Sequence, residues 1–256
     1  MYGLLERRLR TVWALVIREA QAMRGDKRWG YLRLYVDPLL FLGCFMLIRP
    51  LLQGRFSLDV LQPGMLIAGF SLFFMFKSIL QKGIGLGRPA GSLFHFRQVT
   101  VIDLFLAWAV IYWNLYISFF VALLALFYGL GRVFDFTHWF YLAFGACSML
   151  IFALGSCMVA WNLLARFPSL GWIADAFNRV LFWVSGIFFS PASMPHAMQN
   201  KMAWNPISQC IEMARHGTGS PTSPLFLDCR YVSICAAAML FLGLLLSRQT
   251  ERMLRK

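Results

Sequence analysis

Long apolar runs alternate with short basic connections along the chain. Six runs stand out, at about residues 35–52, 62–81, 102–128, 139–164, 172–190 and 231–248. Each is near the ~20 residues that a helix needs to cross a hydrocarbon core. The fourth is long enough to tilt or to extend past the membrane. Residues 4–28 follow a different pattern. Leu5, Leu9, Val12, Trp13, Val16, Ala20 and Met23 repeat at helical spacing and predict one apolar face. Arg8, Arg10, Arg18, Glu19, Gln21 and Arg24 lie mostly elsewhere on that helix. A basic helix with Trp at its apolar edge is expected to lie in the headgroup plane without crossing.

Composition agrees with a lipid solvent. Hydrophobic residues make up 59% of the 256 and charged residues only 14%, against about 25% charged in a soluble domain. The net charge of +13 does not point to nucleic acid, because the basic residues sit between the apolar runs. There they act as topology signals and attract anionic headgroups and membrane lipids, at roughly 1 kcal/mol each. Seventeen Lys and Arg fall on one side of the six runs and five on the other. The richer side is expected to be cytoplasmic, with both termini inside. The first 33 residues are too charged for a signal-peptide core, so the first span is expected to direct insertion.

The expected fold is a single all-α integral membrane domain. Residues 1–33 form the cytoplasmic interfacial helix, 34–190 hold five spans, and 231–256 hold the last span and tail. The stretch 191–230 opens Pro191-Ala192-Ser193-Met194-Pro195 and continues through Trp204-Asn205-Pro206. Ile207, Ile211 and Glu212 then follow at helical spacing, before a loose Gly217-Thr218-Gly219-Ser220-Pro221. It reads either as a re-entrant helix pair, shielded by protein or water, or as an external loop. Cys210 and Cys229 fall in this stretch, which leaves open a disulfide in an oxidising compartment. In the fifth run Asp175 and Arg179 stand four apart, acid first. They read either as a mutually neutralising helix pair or as a sign that Arg179 faces a polar conduit.

Candidate chemistry is sparse. No phosphate-binding glycine loop, nucleophile elbow or metal-ligand spacing of the four histidines is visible. Gly85-x-Gly87-x-x-Ala90 does not follow a strand and is set aside. No pair of carboxylates falls at mid-membrane, which argues against a proton-coupled carrier. The chain also shows no clear internal repeat of the kind secondary transporters carry. Aromatic side chains are abundant, with 25 Phe, 9 Trp and 8 Tyr. Most suit interfacial belts and packed helix faces. Phe70, Phe73, Phe74, Phe76, Trp183 and Phe188, with Arg179, are candidates for lining a channel.

A family resemblance rests on the order and spacing of several segments. These are Ile17-Arg18-Glu19, Arg24-Gly25, Gly30-Tyr31-Leu32 and Asp37-Pro38 around the first span. Phe73-Phe74-Met75-Phe76 lies in the second, and Leu93-Phe94-His95-Phe96-Arg97 with Ile102-Asp103 leads into the third. Phe167-Pro168, Ser185-Gly186, Trp204-Asn205-Pro206, Ile211-Glu212 and Arg215 complete the set. In this order the chain resembles the transmembrane subunit of ABC-2-type polysaccharide exporters, capsular polysaccharide branch. It departs from that pattern at Gln98, Thr100 and Val101, and where Trp108 and Tyr112 replace a charge pair.

The resemblance implies a bacterial inner-membrane permease without a catalytic site. Its pathway would form between two copies. A cytoplasmic ABC ATPase dimer would bind ATP and Mg, so this chain would hold no cofactor. A periplasmic co-polymerase or adaptor and an outer-membrane exporter would complete the machine. The cargo would be a lipid-linked polysaccharide, for which a cation-rich entrance is electrostatically suited. Arg88, Phe94, Phe96 and Arg97 would couple to the ATPase. Trp204, Asn205, Pro206, Glu212 and Arg215 would shape an outer gate. Other cargoes in the same superfamily are an O-antigen, teichoic acid or a drug. The reading from a different class is a membrane-bound enzyme or assembly factor for lipid-linked glycans, which would need a buried acid or metal cluster.

Overall fold

The computed structural model describes residues 2–24, 30–52, 63–86, 100–131, 134–187, 194–220, 222 and 224–254. Among them the α-helices are α1 (Tyr2–Arg24), α2 (Gly30–Leu52), α3 (Pro63–Leu86), α4 (Val101–Gly129), α5 (Trp139–Arg166), α6 (Gly171–Val184), α7 (His196–Ala203), α8 (Pro206–His216) and α9 (Cys229–Leu254). No strand occurs among the described residues. Four segments are long and apolar enough to cross a bilayer: Gly64–Leu86, Val101–Gly129, Trp139–Arg166 and Cys229–Thr250. The chain is an all-α integral membrane protein. The expected count of six also needs α2 and α6, which fall short of the same mark over their described residues. α2 contributes the shorter apolar stretch Tyr35–Phe45.

The fifth expected span is corrected by the structure. It was expected to run to residue 190, but α6 has 14 residues and stops at Val184. Its rise of about 21 Å is less than a ~30 Å hydrocarbon core. Gly186 turns the chain with φ +71°, a left-handed conformation open to glycine. The carbonyls of Gly186 and Ile187 are then taken by a side chain from α8.

α5 is the central helix, packed against α3, α8 and α9. Its contact with α9 depends on two small residues. A Cβ on Gly155 would lie 2.5 Å from the Leu240 backbone nitrogen, and one on Gly243 would lie 2.9 Å from the Gly155 carbonyl. Small residues at such crossings let backbones approach where lipid gives no hydrophobic driving force. Farther along the same pair, the Asn162 amide donates to Ser247 Oγ at 3.0 Å, and both residues are buried.

α1 packs along α4 with Leu15 buried, while Trp13 and Ile17 remain exposed. Glu19 of α1 pairs with Lys82 of α3 at 2.5 Å. α4 starts at a reciprocal cap: Thr100 Oγ1 accepts from the Asp103 amide, and the Asp103 carboxylate accepts from the Thr100 amide and hydroxyl. Such a box satisfies two orphan donors at a helix start. It fixes where α4 begins after residues 87–99, which lie outside the described set.

Gly155→Val should force α5 and α9 apart. Overpacking of this kind costs about 1–3 kcal/mol, and backbone is the neighbour that must move here. A lower unfolding temperature of the purified protein is expected, whereas Gly85→Val, with open space around it, should leave that temperature near the parent value.

Candidate functional site: an inserted helix and its buried arginine

The sequence Trp204-Asn205-Pro206 makes a sharp helix start. Asn205 Oδ1 accepts from the Ile207 amide at 3.1 Å, and Pro206 takes the first helical turn, where its missing N–H costs nothing. α7 and α8 are therefore joined by a tight corner. Every residue of α8 from Ile207 to Arg215 is buried, against α5, α3 and α9. The re-entrant reading is the one this packing resembles; an external loop would leave the helix solvated. Trp204 itself is 77% exposed. Its carbonyl accepts from the Tyr231 hydroxyl at 2.6 Å, which ties the corner to the start of α9.

Arg215 is the polar centre of this region, 1% exposed. Its Nε donates to the Met65 carbonyl at 3.0 Å. Nη1 donates to the Gly186 carbonyl at 2.9 Å and to Glu212 Oε1 at 2.5 Å. Nη2 donates to the Ile187 carbonyl at 2.6 Å. The rigid fork of a guanidinium suits such divergent acceptors. One side chain thus joins the start of α3, the turn after α6 and α8. The Thr218 hydroxyl donates to the Arg215 carbonyl at 2.9 Å and closes the end of α8. Gly69 leaves room for this: a Cβ there would lie 2.8 Å from Arg215 Nη2.

Beside this node His216 stacks on His138, with ring centroids 4.5 Å apart and planes within 13°. The Tyr141 ring meets His216 edge-on at 5.1 Å. Desolvation and the neighbouring His138 push the His216 pKa below its ordinary value. Asp135, in the preceding loop, accepts from the Thr137 amide and hydroxyl, which lowers its carboxyl pKa.

The sequence-based candidates divide clearly in space. Trp204, Asn205, Pro206, Glu212 and Arg215 come together around α8. Arg88, Phe94, Phe96, Arg97 and Phe188 lie outside the described residues. Phe70, Phe73, Phe74 and Phe76 are between 0% and 2% exposed and pack inside the protomer. Phe73 and Phe74 surround Phe182, which pattern reading did not single out. Trp183, 67% exposed, and the exposed Arg179 do lie on the surface of α6. Among the described residues Lys82 pairs with Glu19 and Arg215 with Glu212, and no pair joins Arg179 to Asp175. Cys210 and Cys229 are both free thiols.

At the opposite end of α3 the bundle holds a polar cavity of about 330 Å³. Asp37 of α2 forms one side, and Tyr112 and Tyr116 of α4 another. From α3 come Phe74, Lys77, Ser78, Gln81 and Lys82. The Lys77 ammonium lies 5.1 Å from the Phe74 ring centre and 5.7 Å from that of Phe41. Along the sequence Lys77 and Lys82 count among the seventeen Lys and Arg of the richer side. Nothing in the linear pattern brings them to Asp37 and the two tyrosines.

Arg215→Met should leave Glu212 buried without its cation, at a cost of about 3–5 kcal/mol. Recovery of folded protein should fall sharply. Adding Glu212→Leu should restore part of the loss, because the orphaned charge goes with it, and unfolding temperatures of both variants measure this. Acid should loosen the same region. A lowered histidine pKa means that the unfolded chain binds a proton first, so His216 contributes stability above its unfolded pKa near 6.5 and loses it as pH falls below that value. Amide exchange in residues 134–141 and 216–220 should be faster at pH 5 than at pH 7.5, with the difference reduced in His216→Phe.

No family model matches the chain. The polysialic acid transport protein KpsM of Escherichia coli is 26% identical over 241 residues, which cover 94% of this chain and 93% of that protein. The capsule polysaccharide export inner-membrane protein CtrC of Neisseria meningitidis is 25% identical over 237 residues, 92% of this chain and 89% of that protein. BexB of Haemophilus influenzae, of the same description, is 26% identical over 250 residues, 95% and 92%. Over nearly all of its length the chain is thus similar to a polysialic acid transport protein and to capsule polysaccharide export inner-membrane proteins.

Proposed function

We propose that the chain is the transmembrane subunit of an ATP-driven exporter that moves capsular polysaccharide on a lipid terminus out of the cytoplasm. The observation that carries this reading is the similarity to three differently named capsule-export and polysialic-acid-transport proteins over at least 92% of the chain. The glycan-enzyme alternative is not favoured by any of these relatives. Both termini face the cytoplasm in this reading, as the excess of Lys and Arg on their side suggests.

The chain supplies the path and a partner supplies the energy. A second copy covers the exposed side of α6, where Trp172, Phe177, Val180 and Trp183 are 58–71% exposed. Segment 82–97 docks on a cytoplasmic ATPase dimer that binds ATP and Mg. A periplasmic adaptor and an outer-membrane exporter receive the polymer. At the outer side α8, held by Arg215, forms a plug that shapes the gate with Trp204 at its exposed corner. The bonds from Arg215 to the Gly186 and Ile187 carbonyls couple that plug to α6. Movement of α6 against its copy would therefore reach α8 directly.

Deletion of the gene should abolish surface capsule and leave polymer inside the cell, measured by anti-capsule staining before and after permeabilisation. Normal surface capsule in the deletion strain would overturn this assignment.

A further inference from the structure

The polar cavity at the α1 end has no part in the gate described above. A charged residue inside a span is costly, and it marks a partner or a polar path. Lys77 is half-buried in α3, and among the described residues it makes no ion pair. Its neighbours are two aromatic faces, which attract a cation without neutralising it. Lys82, on the same wall, is already paired with Glu19. Lys77 is thus the cation left to a ligand.

The remaining groups narrow the ligand's chemistry. Asp37 is exposed and contributes acceptor oxygens to the same cavity. The Ser78 and Tyr116 hydroxyls are bonded to each other at 2.9 Å. Whichever of them donates, the other keeps a hydrogen for a ligand. The Tyr112 hydroxyl has no hydrogen-bond partner among the described residues, and Gln81 offers an amide. A phosphate dianion would meet one cation together with a carboxylate that repels it. A sugar ring fits both, since each hydroxyl can donate to Asp37 and accept from Lys77. A volume of about 330 Å³ is at the small end of ligand sites, and suits a ring-sized unit rather than a polymer.

We propose that the cavity between α2, α3 and α4 binds one pyranose unit, neutral or singly acidic, with Lys77 and Asp37 sharing its hydroxyls and Tyr112 donating to it. The inference rests on the export reading for the origin of the sugar, and places a glycan contact at the end of the bundle opposite α8. It gives the exporter a means of sensing glycan where the pathway begins. Binding itself needs neither transport nor an ATPase.

Saturation-transfer NMR on the full chain in phosphatidylcholine nanodiscs tests it. N-acetylneuraminic acid, glucuronic acid and glucose are the probe sugars, and glycerol 3-phosphate is the anion control. Transfer to the ring protons of at least one sugar is expected. It should fall about fivefold, the scale of one lost hydrogen bond, in Lys77→Met, Asp37→Asn and Tyr112→Phe. Should Lys77→Met fail to fold, Tyr112→Phe removes a single oxygen and still decides the matter. Equal transfer in parent and variants for every sugar would overturn the site. So would a variant-dependent signal confined to glycerol 3-phosphate, or loss of all sugar signal when phosphatidylglycerol is added to the nanodisc, since either outcome assigns the cavity to a lipid phosphate. No sugar signal together with capsule trapped in the deletion strain removes the cavity and leaves the export reading. A variant-dependent sugar signal with normal capsule in that strain does the reverse.

Discussion

A guanidinium with almost no exposure to solvent is the constraint around which the Arg215 end of the bundle is arranged. Burying that charge is costly unless every donor has a partner. Glu212 compensates the charge and takes one donor, and three backbone carbonyls take three more. Gly186 and Ile187 lie beyond α6, where carbonyls lack an intrahelical donor, while the Met65 carbonyl, in the first turn of α3, accepts from Arg215 through its second lone pair. The early end of α6 and the burial of α8 are therefore one fact seen from two sides. Gly69 completes the arrangement by leaving the space the fork occupies.

The same logic explains why the bundle can hold a short helix at all. Lipid offers no gain for clustering apolar side chains, so helices associate through close backbone contact and internal polar bonds. α5 provides both. Gly155 meets α9, and Gly145 meets α8, where an added Cβ would lie 2.7 Å from the Cys210 carbonyl. Asn162 adds a buried bond to Ser247. The crossing helices thus leave a slot near their α8 end that an 11-residue helix fills.

Much of this architecture was legible in the sequence, because the relevant signals are local. Apolar run length gave the long helices α3, α4, α5 and α9 within a few residues. Helical spacing gave α1, and Trp204-Asn205-Pro206 with Ile207, Ile211 and Glu212 marked α8. The end of α6 was not legible, since an apolar run through Phe188 and Phe189 continues past the point where the helix stops. What stops it comes from Arg215, 29 residues away from Gly186. The packing of Phe70, Phe73, Phe74 and Phe76 was hidden for a related reason. In a span every face is apolar, so periodicity does not tell a protein-facing ring from one facing lipid or a path. The cavity was illegible because its charges belong to helices far apart in the chain.

Two polar groupings among the described residues, one at each end of α3, differ in how completely they are satisfied. At the α8 end Arg215 donates to Met65, Gly186, Ile187 and Glu212, so each bond ties a different stretch of chain to this one side chain. At the α1 end Lys77, Asp37 and Tyr112 border open space, with Lys82 alone held by Glu19. A structure that only had to be stable would close such a space with apolar side chains, as it has closed the rest of α3 around Phe70, Phe73 and Phe76. A half-buried ammonium loses hydration, and here the Phe41 and Phe74 faces offset part of that cost. In the proposed reading a molecule with both donors and acceptors offsets the rest. In the proposed export reading the two ends are linked along α3, whose first turn is held by Arg215 and whose later turns carry Lys77 and Lys82.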